Sequence, residues 1–426
     1  MDFKEHLKKY LSDEEINNLV KSFNNKEQKG VLLNTNKLSI DNFLKLFPEV
    51  KPHPVVDNAF LFDEDKYPLG KKIYHELGAY YIQDPSAMLV AHFLKPKDNQ
   101  RILDLCAAPG GKTVGTSLLM HNKGIIYAND ISSSRSDILL SNVERMGLGN
   151  VVVLNKDFSR LGDKLSNYFD AIILDAPCSG SGMFRKLEAM KDDWTYEKVL
   201  KYSAIQKELI LLASKMLKEG GMLLYSTCSY SYEEDEEVVK YLLENSEFSL
   251  DEIEHFDGEY RSKEFPECVH LFPSIFTGEG HFIARLKKNG KLSKNTENNI
   301  VFSRKKLSKG NKPQLDKFEV FLDPNEYLIS IANRPGLFIS SKIGNDEIYS
   351  HHYSHYLDAS SSIELSKEEV IKYMRGESLY KKDIPDGYNF VSYMGMNIGV
   401  THVVNTTLKN LYPKGLRINA SIDSSF

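Results

Sequence analysis

Leu103-Asp104-Leu105-Cys106-Ala107-Ala108-Pro109-Gly110-Gly111-Lys112-Thr113 reads as the end of a buried strand, a turn of small residues and the start of a helix. The Gly-Lys-Thr ending has the look of a phosphate loop. That loop needs glycine where this chain carries Cys106, so an ATP site is rejected. What remains is a turn that lets a ligand approach the backbone at a helix N-terminus. Around it, apolar runs at 102–105, 125–128, 151–154, 171–174 and 222–225 alternate with helical segments. Apolar strands of that length, joined by helices, form a parallel sheet covered on both faces. The expected fold class is α/β, Rossmann-like, with ligands at the carboxyl ends of the strands.

The strand ends carry acids. Asp130 ends the second strand, 19 residues beyond Gly111, the distance at which an acid holds ribose hydroxyls in nucleoside-binding sheets. Asp157 ends the third strand and is placed for an adenine amino group, and Asp175 ends the fourth. A single Asp at such a place is commonly a helix N-cap. Together with Asp104 in the first strand, these acids suit a ligand with a ribose, an amino group and a positive centre, and suit a pyrophosphate poorly. S-adenosylmethionine, with its sulfonium, fits better than NAD.

Two thiols share that edge. Asp175-Ala176-Pro177-Cys178-Ser179-Gly180-Ser181-Gly182 leaves the fourth strand, and Tyr225-Ser226-Thr227-Cys228-Ser229 ends the fifth. Taken alone, the first stretch fits equally well a turn with a buried cysteine packed as a small hydrophobe. Neighbouring strands lie about 4.8 Å apart, so the thiols can converge on one substrate. A thiol beside a methyl donor suits cytosine, whose C5 is a poor nucleophile until a thiolate adds to C6. Asp175 could support that adduct at N3 if protonated, or through the amino group. The base must be unstacked to reach such a pocket. The acids of 233–237 open a helix and read as first-turn charges matched to its dipole.

Composition is that of a globular protein, with 41% apolar and 27% charged residues, and no apolar run reaches the length of a membrane span. The first ten residues lack the apolar core of a signal peptide, and four cysteines show no C-x-x-C spacing, so a reducing cytoplasm is expected. A net charge of −5 gives no global nucleic-acid signature. Residues 287–314, however, hold nine Lys or Arg against one acid, and read as a basic linker. The expected layout is an N-terminal α+β domain over 1–95, a catalytic domain over 96–286, that linker, and a β-rich module over 315–426. In the first domain, 3–20 has helical spacing with a capping segment at Ser12, 31–34 and 59–62 read as strands, and Pro85 opens a helix. In the last, Ser366 caps a helix stopped by Gly376, 388–404 alternates as a hairpin turning near Gly395, and 409–417 interleaves basic and aromatic residues suited to RNA. His351-His352-x-x-His355 has metal-like spacing but no companion ligands nearby in sequence, so no metal is expected.

Residues 78–286 resemble the Sun-type RNA cytosine-5 methyltransferases. The matching blocks are YIQDPSAM (81–88), DLCAAPGGKT (104–113), YANDIS (127–132), DAPCSGSGMFRK (175–186) and YSTCSYSYEEDEEVV (225–239). GMFRK (182–186), FPSIFTGEGHFIARL (272–286) and LKNLYPKGLR (408–417) are similar to the RsmF branch of bacterial rRNA enzymes. The resemblance implies a class I S-adenosylmethionine-dependent methyltransferase domain, with an RNA-contacting domain before it and a PUA-like RNA-binding module after it. It implies Cys228 as nucleophile, Cys178 as the thiol assisting release, and Cys106, Ala107, Ala108, Pro109, Gly110, Gly111, Lys112, Asp130, Asp157 and Asp175 around the methyl donor. In DNA cytosine-5 methyltransferases the nucleophile follows a proline, which makes Pro177-Cys178 the tempting choice. The resemblance, not the spacing, assigns attack to Cys228. The implied target is cytosine in small-subunit rRNA, free or in the 30S particle, with no DNA, no membrane and a monomeric chain. A tRNA target and a non-catalytic ribosome-assembly factor are the competing readings. One departure stands out: the family often has Arg where Leu32 lies in Gly30-Val31-Leu32-Leu33-Asn34, which weakens the expectation of RNA contacts there.

Overall fold

A computed structural model describes residues 2–186, 189–293, 299–307, 313–322 and 324–417. The chain opens with α1 (Phe3–Leu7) and α2 (Asp13–Ser22). Two helices thus span the stretch with helical spacing, and the second starts at the capping segment expected at Ser12. Its hydroxyl accepts from Glu15 N–H while Glu15 returns a carboxylate to Ser12 N–H. Strands β1 (Lys29–Leu33), β2 (Lys51–Pro52), β3 (Ala59–Phe62) and β4 (Tyr80–Gln83) form an antiparallel sheet ordered β2-β3-β1-β4, with α3 (Ile40–Leu46) and α4 (Ile73–Glu76) between them. Leu32 is buried in the same apolar cluster as Val114 and Ala108 of the next domain. That position packs two domains together and is withdrawn from RNA.

Asp84 caps α5 (Pro85–Leu94) through Ala87 N–H, with Pro85 in the first turn, where its missing N–H costs nothing. The catalytic domain follows: β5 (Arg101–Asp104), α6 (Gly111–Leu119), β6 (Ile125–Asn129), α7 (Ser133–Met146), β7 (Val151–Leu154), β8 (Phe169–Asp175), α8 (Ala189–Asp193), α9 (Tyr196–Met216), β9 (Leu217–Thr227), α10 (Glu236–Asn245), β10 (Phe248–Leu250), β11 (Tyr260–Arg261), β12 (Val269–His270) and β13 (Phe282–Lys288). Strands β7-β6-β5-β8-β9 run parallel, and β13 joins β9 antiparallel. The order reverses beside β5: the chain goes out to β6 and β7, then returns to β8 on the other side. Such a switch point opens a crevice at the strand ends.

Alternation along each strand divides the core into two layers. Leu103, Tyr127, Val152, Ile172 and Leu223 face one layer with Ile210 and Ala213 of α9 and Val238 and Leu242 of α10. Ile102, Ile126, Val151, Ile173 and Leu224 face the other with α5, α6 and α7. Each such side chain contributes roughly 1.5–3 kcal/mol on burial, so the sheet is fixed by these runs before any polar contact is counted.

Beyond β13, the expected basic linker is in part a hairpin. β14 (Ile300–Leu307) pairs antiparallel with β15 (Pro313–Val320), and α11 (Glu326–Ile331), β16 (Leu337–Ile343) and β17 (Asp346–Tyr349) complete a four-stranded sheet. After α12 (His351–Tyr356), a second sheet forms from β18 (Ile363–Glu364), β19 (Leu379–Tyr380), β20 (Gly387–Tyr393), β21 (Met396–Val404) and β22 (Thr407–Asn410). The module expected over 315–426 is therefore two sheets, and its last nine residues lie outside the described ones. Ser366 caps α13 (Lys367–Met374) with Glu369, and β20 and β21 turn at Met394 and Gly395, as the sequence indicated. Tyr412 packs edge-on against His351 and Tyr373 in the core of this sheet, so it cannot stack on RNA as its basic neighbours suggested. At the other end of the catalytic sheet, residues 333–334 lie along β7. Val153 N–H donates to Arg334 O at 2.9 Å, Asn333 N–H returns to Val153 O, and Arg334 Nη1 donates to Val151 O at 2.6 Å.

Candidate active site

The turn between β5 and α6 supplies the floor of the crevice. Gly110 has φ +118°, a conformation L side chains rarely adopt, and Arg135 of α7 donates to Ala108 O while Asn142 donates to Pro109 O. These bonds hold Cys106 to Lys112 against the sheet. Above the turn lies a cavity of about 520 Å³ lined by Cys106, Asp130, Asp157, Asp175, Cys178 and Cys228, among others. Two clefts of about 600 and 660 Å³ lie elsewhere, but neither is lined by a strand-end acid of the switch point or by a thiol.

Asp130 is buried. Its Oδ1 accepts from Ser132 N–H at 2.9 Å, and Arg135 Nη1 is 3.3 Å from Oδ2. Among the described residues Oδ2 accepts no hydrogen bond, which leaves a lone pair for a ligand hydroxyl. Asp157 is half-exposed at the rim and already caps the turn 158–160, accepting from Ser159 N–H and Oγ. Ile131, exposed, and Phe158, buried, are apolar residues beside these acids that sequence reasoning passed over. Asp104 is fully buried and accepts from Thr113 Oγ1 at 2.6 Å. Burial pushes its pKa up to about 7 against that bond.

Asp175 is held on both oxygens. Lys112 Nζ lies 2.7 Å from Oδ2, Ser226 Oγ donates to Oδ1 at 2.8 Å, and His281 Nε2 is 3.8 Å away. Burial pushes Asp175 up, but the charges of Lys112 and His281 and the hydrogen bonds from Lys112 and Ser226 together outweigh it, and the carboxyl sits below its ordinary range. Of the two roles left open by the sequence, a protonated Asp175 is thus disfavoured. An ionised one can only accept, as from an amino group. The pairing with Lys112 was not read from the sequence, where that lysine belonged only to the loop.

Strands β8 and β9 pair with Asp175 opposite Ser226, which brings Cys178 Sγ and Cys228 Sγ to 3.1 Å. The hydrogen bond Cys178 shares with Cys228, then burial, hold the Cys178 thiol well above its ordinary range. Gly182 explains the second glycine of the loop. Its N–H donates to Cys228 O at 2.7 Å, and a Cβ there would stand 2.6 Å from that oxygen. The close approach is to the other cysteine's own backbone. Arg185 of the same loop makes a buried pair with Glu279, with Nε at 3.0 and 2.9 Å and Nη2 at 2.8 Å, which ties GMFRK to GEGHF.

The acids of 233–237 differ from expectation. The helix begins at Glu236, and most of the run is consumed before it. Glu233 pairs with Lys9 and His6, Glu234 binds the two cysteine loops, Asp235 accepts from Thr227 Oγ1 at 2.5 Å, and Glu236 meets His270. Far from the site, His351 Nε2 and His355 Nε2 approach to 3.4 Å, and His352 lies 3.2 Å from Glu144. Burial lowers His351 to about 3 and also lowers His352 and His355, so the imidazoles pack in neutral form, His351 against Tyr412. No helix among the described residues is long and apolar enough to cross a membrane.

Family models match three stretches of this architecture. The family described as 16S rRNA methyltransferase RsmB/F matches residues 91–287, the N-terminal domain of 16S rRNA methyltransferase RsmF matches 1–85, and the methyltransferase RsmF PUA domain matches 360–418. Ribosomal RNA small subunit methyltransferase F of Vibrio vulnificus (strain YJ016) is 32% identical, covering 91% of each chain. That of Citrobacter koseri is 31% identical over 91% of this chain and 90% of its own. Among solved structures, a methyltransferase homolog protein from Pyrococcus horikoshii superposes with a TM-score of 0.59 at 28% identity, over 67% of this chain and 93% of that one. NSun6 from the same organism shares the fold, with a TM-score of 0.62 at 24% identity over 68% and 98%. The cofactor of this fold is S-adenosylmethionine, and the crevice fits it: the Asp130 carboxylate, whose Oδ2 faces Arg135 without accepting a hydrogen bond among the described residues, suits a ribose hydroxyl, and anionic walls suit a sulfonium. Matched by these three models and 32% identical to a relative along 91% of its length, the chain belongs to the RsmB/F family of 16S rRNA methyltransferases, within its RsmF branch.

Proposed function

We propose that this protein methylates C5 of cytosine in RNA, with small-subunit rRNA as its target, through a covalent bond between Cys228 and the cytosine ring. The observation that carries this reading is the pair of thiols 3.1 Å apart on a cavity that also fits the methyl donor. S-adenosylmethionine supplies the methyl group. Asp130 holds its ribose, Asp157 its adenine amino group, and the turn Cys106 to Lys112 carries its backbone contacts. Asp175, kept ionised by Lys112, accepts from the cytosine amino group and orients the ring. The Cys228 thiolate forms a bond to C6, and the C5–C6 π pair moves onto C5, which becomes nucleophilic. Once C5 carries the methyl group and S-adenosylhomocysteine is left behind, a solvent water takes the C5 proton, the electron pair of that C–H bond restores the C5–C6 double bond, and the C6–S bond breaks to return the Cys228 thiolate. Cys178, which holds its proton, assists that release.

The relatives named for small-subunit rRNA support the choice of RNA. The test is incubation with labelled methyl donor and, in parallel, 30S particles, naked small-subunit rRNA and tRNA, followed by mapping of 5-methylcytosine. Label in tRNA alone would move the target, and no methylated cytosine in any RNA overturns the reaction. For the thiols, Cys178→Ala is expected to trap a protein–RNA adduct and Cys228→Ala to form none. The reverse pattern exchanges their roles.

A further inference from the structure

The run 233–237 reads from sequence as helix-dipole charges, and its second member does something else. Glu234 is fully buried, and four donors converge on it. Ser179 N–H donates to Oε1 at 2.8 Å and Gln206 Nε2 at 3.1 Å, while the Ser179 hydroxyl and the Ser229 hydroxyl (2.6 Å) donate to Oε2. Ser179 directly follows Cys178, and Ser229 directly follows Cys228. Gln206 also donates to Pro177 O at 2.8 Å, the carbonyl just before Cys178. Burial pushes the Glu234 carboxyl up, and the hydrogen bonds oppose it: two N–H groups and two hydroxyls aimed at one carboxyl form the donor set of an ionised carboxylate, which only accepts.

We infer that Glu234 is a positioning residue for both thiols: one buried carboxylate grips the residue after each cysteine, fixes their approach, and keeps a negative charge beside Cys178. Like charge disfavours a second anion nearby, so the arrangement is asymmetric. After the Cys228 hydrogen bond, burial and the charge of Cys228, the Glu234 charge also holds the Cys178 thiol up. On the other side, the Lys112 ammonium is opposed by burial but favoured by Asp175 and by charge on Cys228. The buried Glu234 charge thus stands by the thiol that must keep its proton. This rests on the two-thiol reading above.

The experiment is run on the full chain with Glu234→Gln, which keeps the length and removes the charge. In protein without RNA, alkylation of Cys178 by iodoacetamide is followed against pH by peptide mass spectrometry. The other titratable groups around the pair, Lys112, Asp175, Tyr225, Tyr230 and Asp235, are unchanged in the variant. The expected result is a Cys178 profile displaced to lower pH, with alkylation at fixed pH at least about threefold faster. With RNA, kcat falls at least tenfold while KM for RNA and donor binding stay within twofold. Glu234→Asp, which restores charge with a shorter reach, is expected to return the alkylation profile but not kcat. If Glu234→Gln does not fold, Ser179→Ala and Ser229→Ala each remove one grip and should each lower kcat about tenfold. An unchanged Cys178 profile in Glu234→Gln, or kcat within twofold of wild type in both serine variants, overturns the inference. The alkylation readout needs no methylation: a wild type that methylates no cytosine defeats the reaction proposed above, whereas a methylating wild type with an unmoved Cys178 profile defeats only the role of Glu234.

Discussion

Gly182→Ala tests whether the thiol pair depends on the backbone approach between its two loops. The added Cβ would stand 2.6 Å from Cys228 O and 3.2 Å from Gly280 O, where ordinary contact begins near 3.4 Å. Both neighbours are backbone, so no side chain can swing aside, and the loops must part by about 0.8 Å along the first contact. The Gly182 N–H bond to Cys228 O, 2.7 Å long, is stretched with them. Overpacking of one methyl costs about 1–3 kcal/mol, which a chain of this size survives. The larger effect is positional. Moving a reacting group by about 1 Å can cost about 100-fold in rate, so a displacement of about 0.8 Å predicts a kcat 10- to 100-fold lower. The assay is single-turnover methylation with saturating donor, together with the rate of adduct formation in the Cys178→Ala background and a thermal melt. Donor affinity should hold within twofold, because the turn of 106–112 is not touched. A variant that melts several degrees lower yet keeps kcat within threefold would refute the reasoning, since strain would then be absorbed without moving Cys228.

Other outcomes follow from the same geometry. Lys112→Met leaves Asp175 buried without its cation. The side chains are 16% and 23% exposed, which places the loss near the low end of the about 3–5 kcal/mol seen for broken buried pairs. Because Asp175 lies below its ordinary range when folded, the pair stabilises at neutral pH and the effect is lost as pH falls through the lowered value. In the variant, the acid limb of stability measured by melts across pH should move up by at least about one unit, and an unmoved limb would contradict it. Asp130→Ala should weaken S-adenosylmethionine binding by calorimetry about 10- to 100-fold, the worth of a charged hydrogen bond; affinity within twofold in protein that still folds would remove Asp130 from the ribose. Peroxide should couple Cys178 to Cys228, forming one S–S bond from two thiols with release of two waters, so that free thiols fall from four to two and reductant restores both thiols and turnover. Four thiols remaining after stoichiometric peroxide would mean that the pair does not approach in solution.

Most of the sheet was legible because parallel strands buried on both faces are written as apolar runs. The stretch 151–154 is a strand in both readings, and 102–105 and 125–128 are displaced by one residue at most. Convergence of the thiols followed from adjacency of the fourth and fifth strands alone. The edge strand Ile300–Leu307 was hidden, since its Arg304, Lys305 and Lys306 are what such an edge carries to resist pairing, and composition reads them as linker. Tyr412 and Leu32 misled in opposite directions: one looked like an RNA contact and is core, the other looked like a lost contact and is an interdomain seam. Glu234 gave only a faint signal, an acid two places ahead of where the helix truly starts. Its partners lie 5, 28 and 55 residues away, and no local pattern joins them.

The strap formed by residues 333–334 along β7 bears on how the protein behaves when shortened. Strand β7 is the outermost of the catalytic sheet, with a row of amides and carbonyls facing outward on one side. The strap occupies Val153 on both sides, and the buried Arg334 guanidinium takes the carbonyl oxygens of Val151 and Leu148. A catalytic domain cut free after β13 would keep every residue of its crevice, but it would bare that row as a template for another chain. The segment leading to the C-terminal sheets is therefore also the catalytic domain's guard against aggregation, and deleting it should produce self-association before it produces a loss of chemistry.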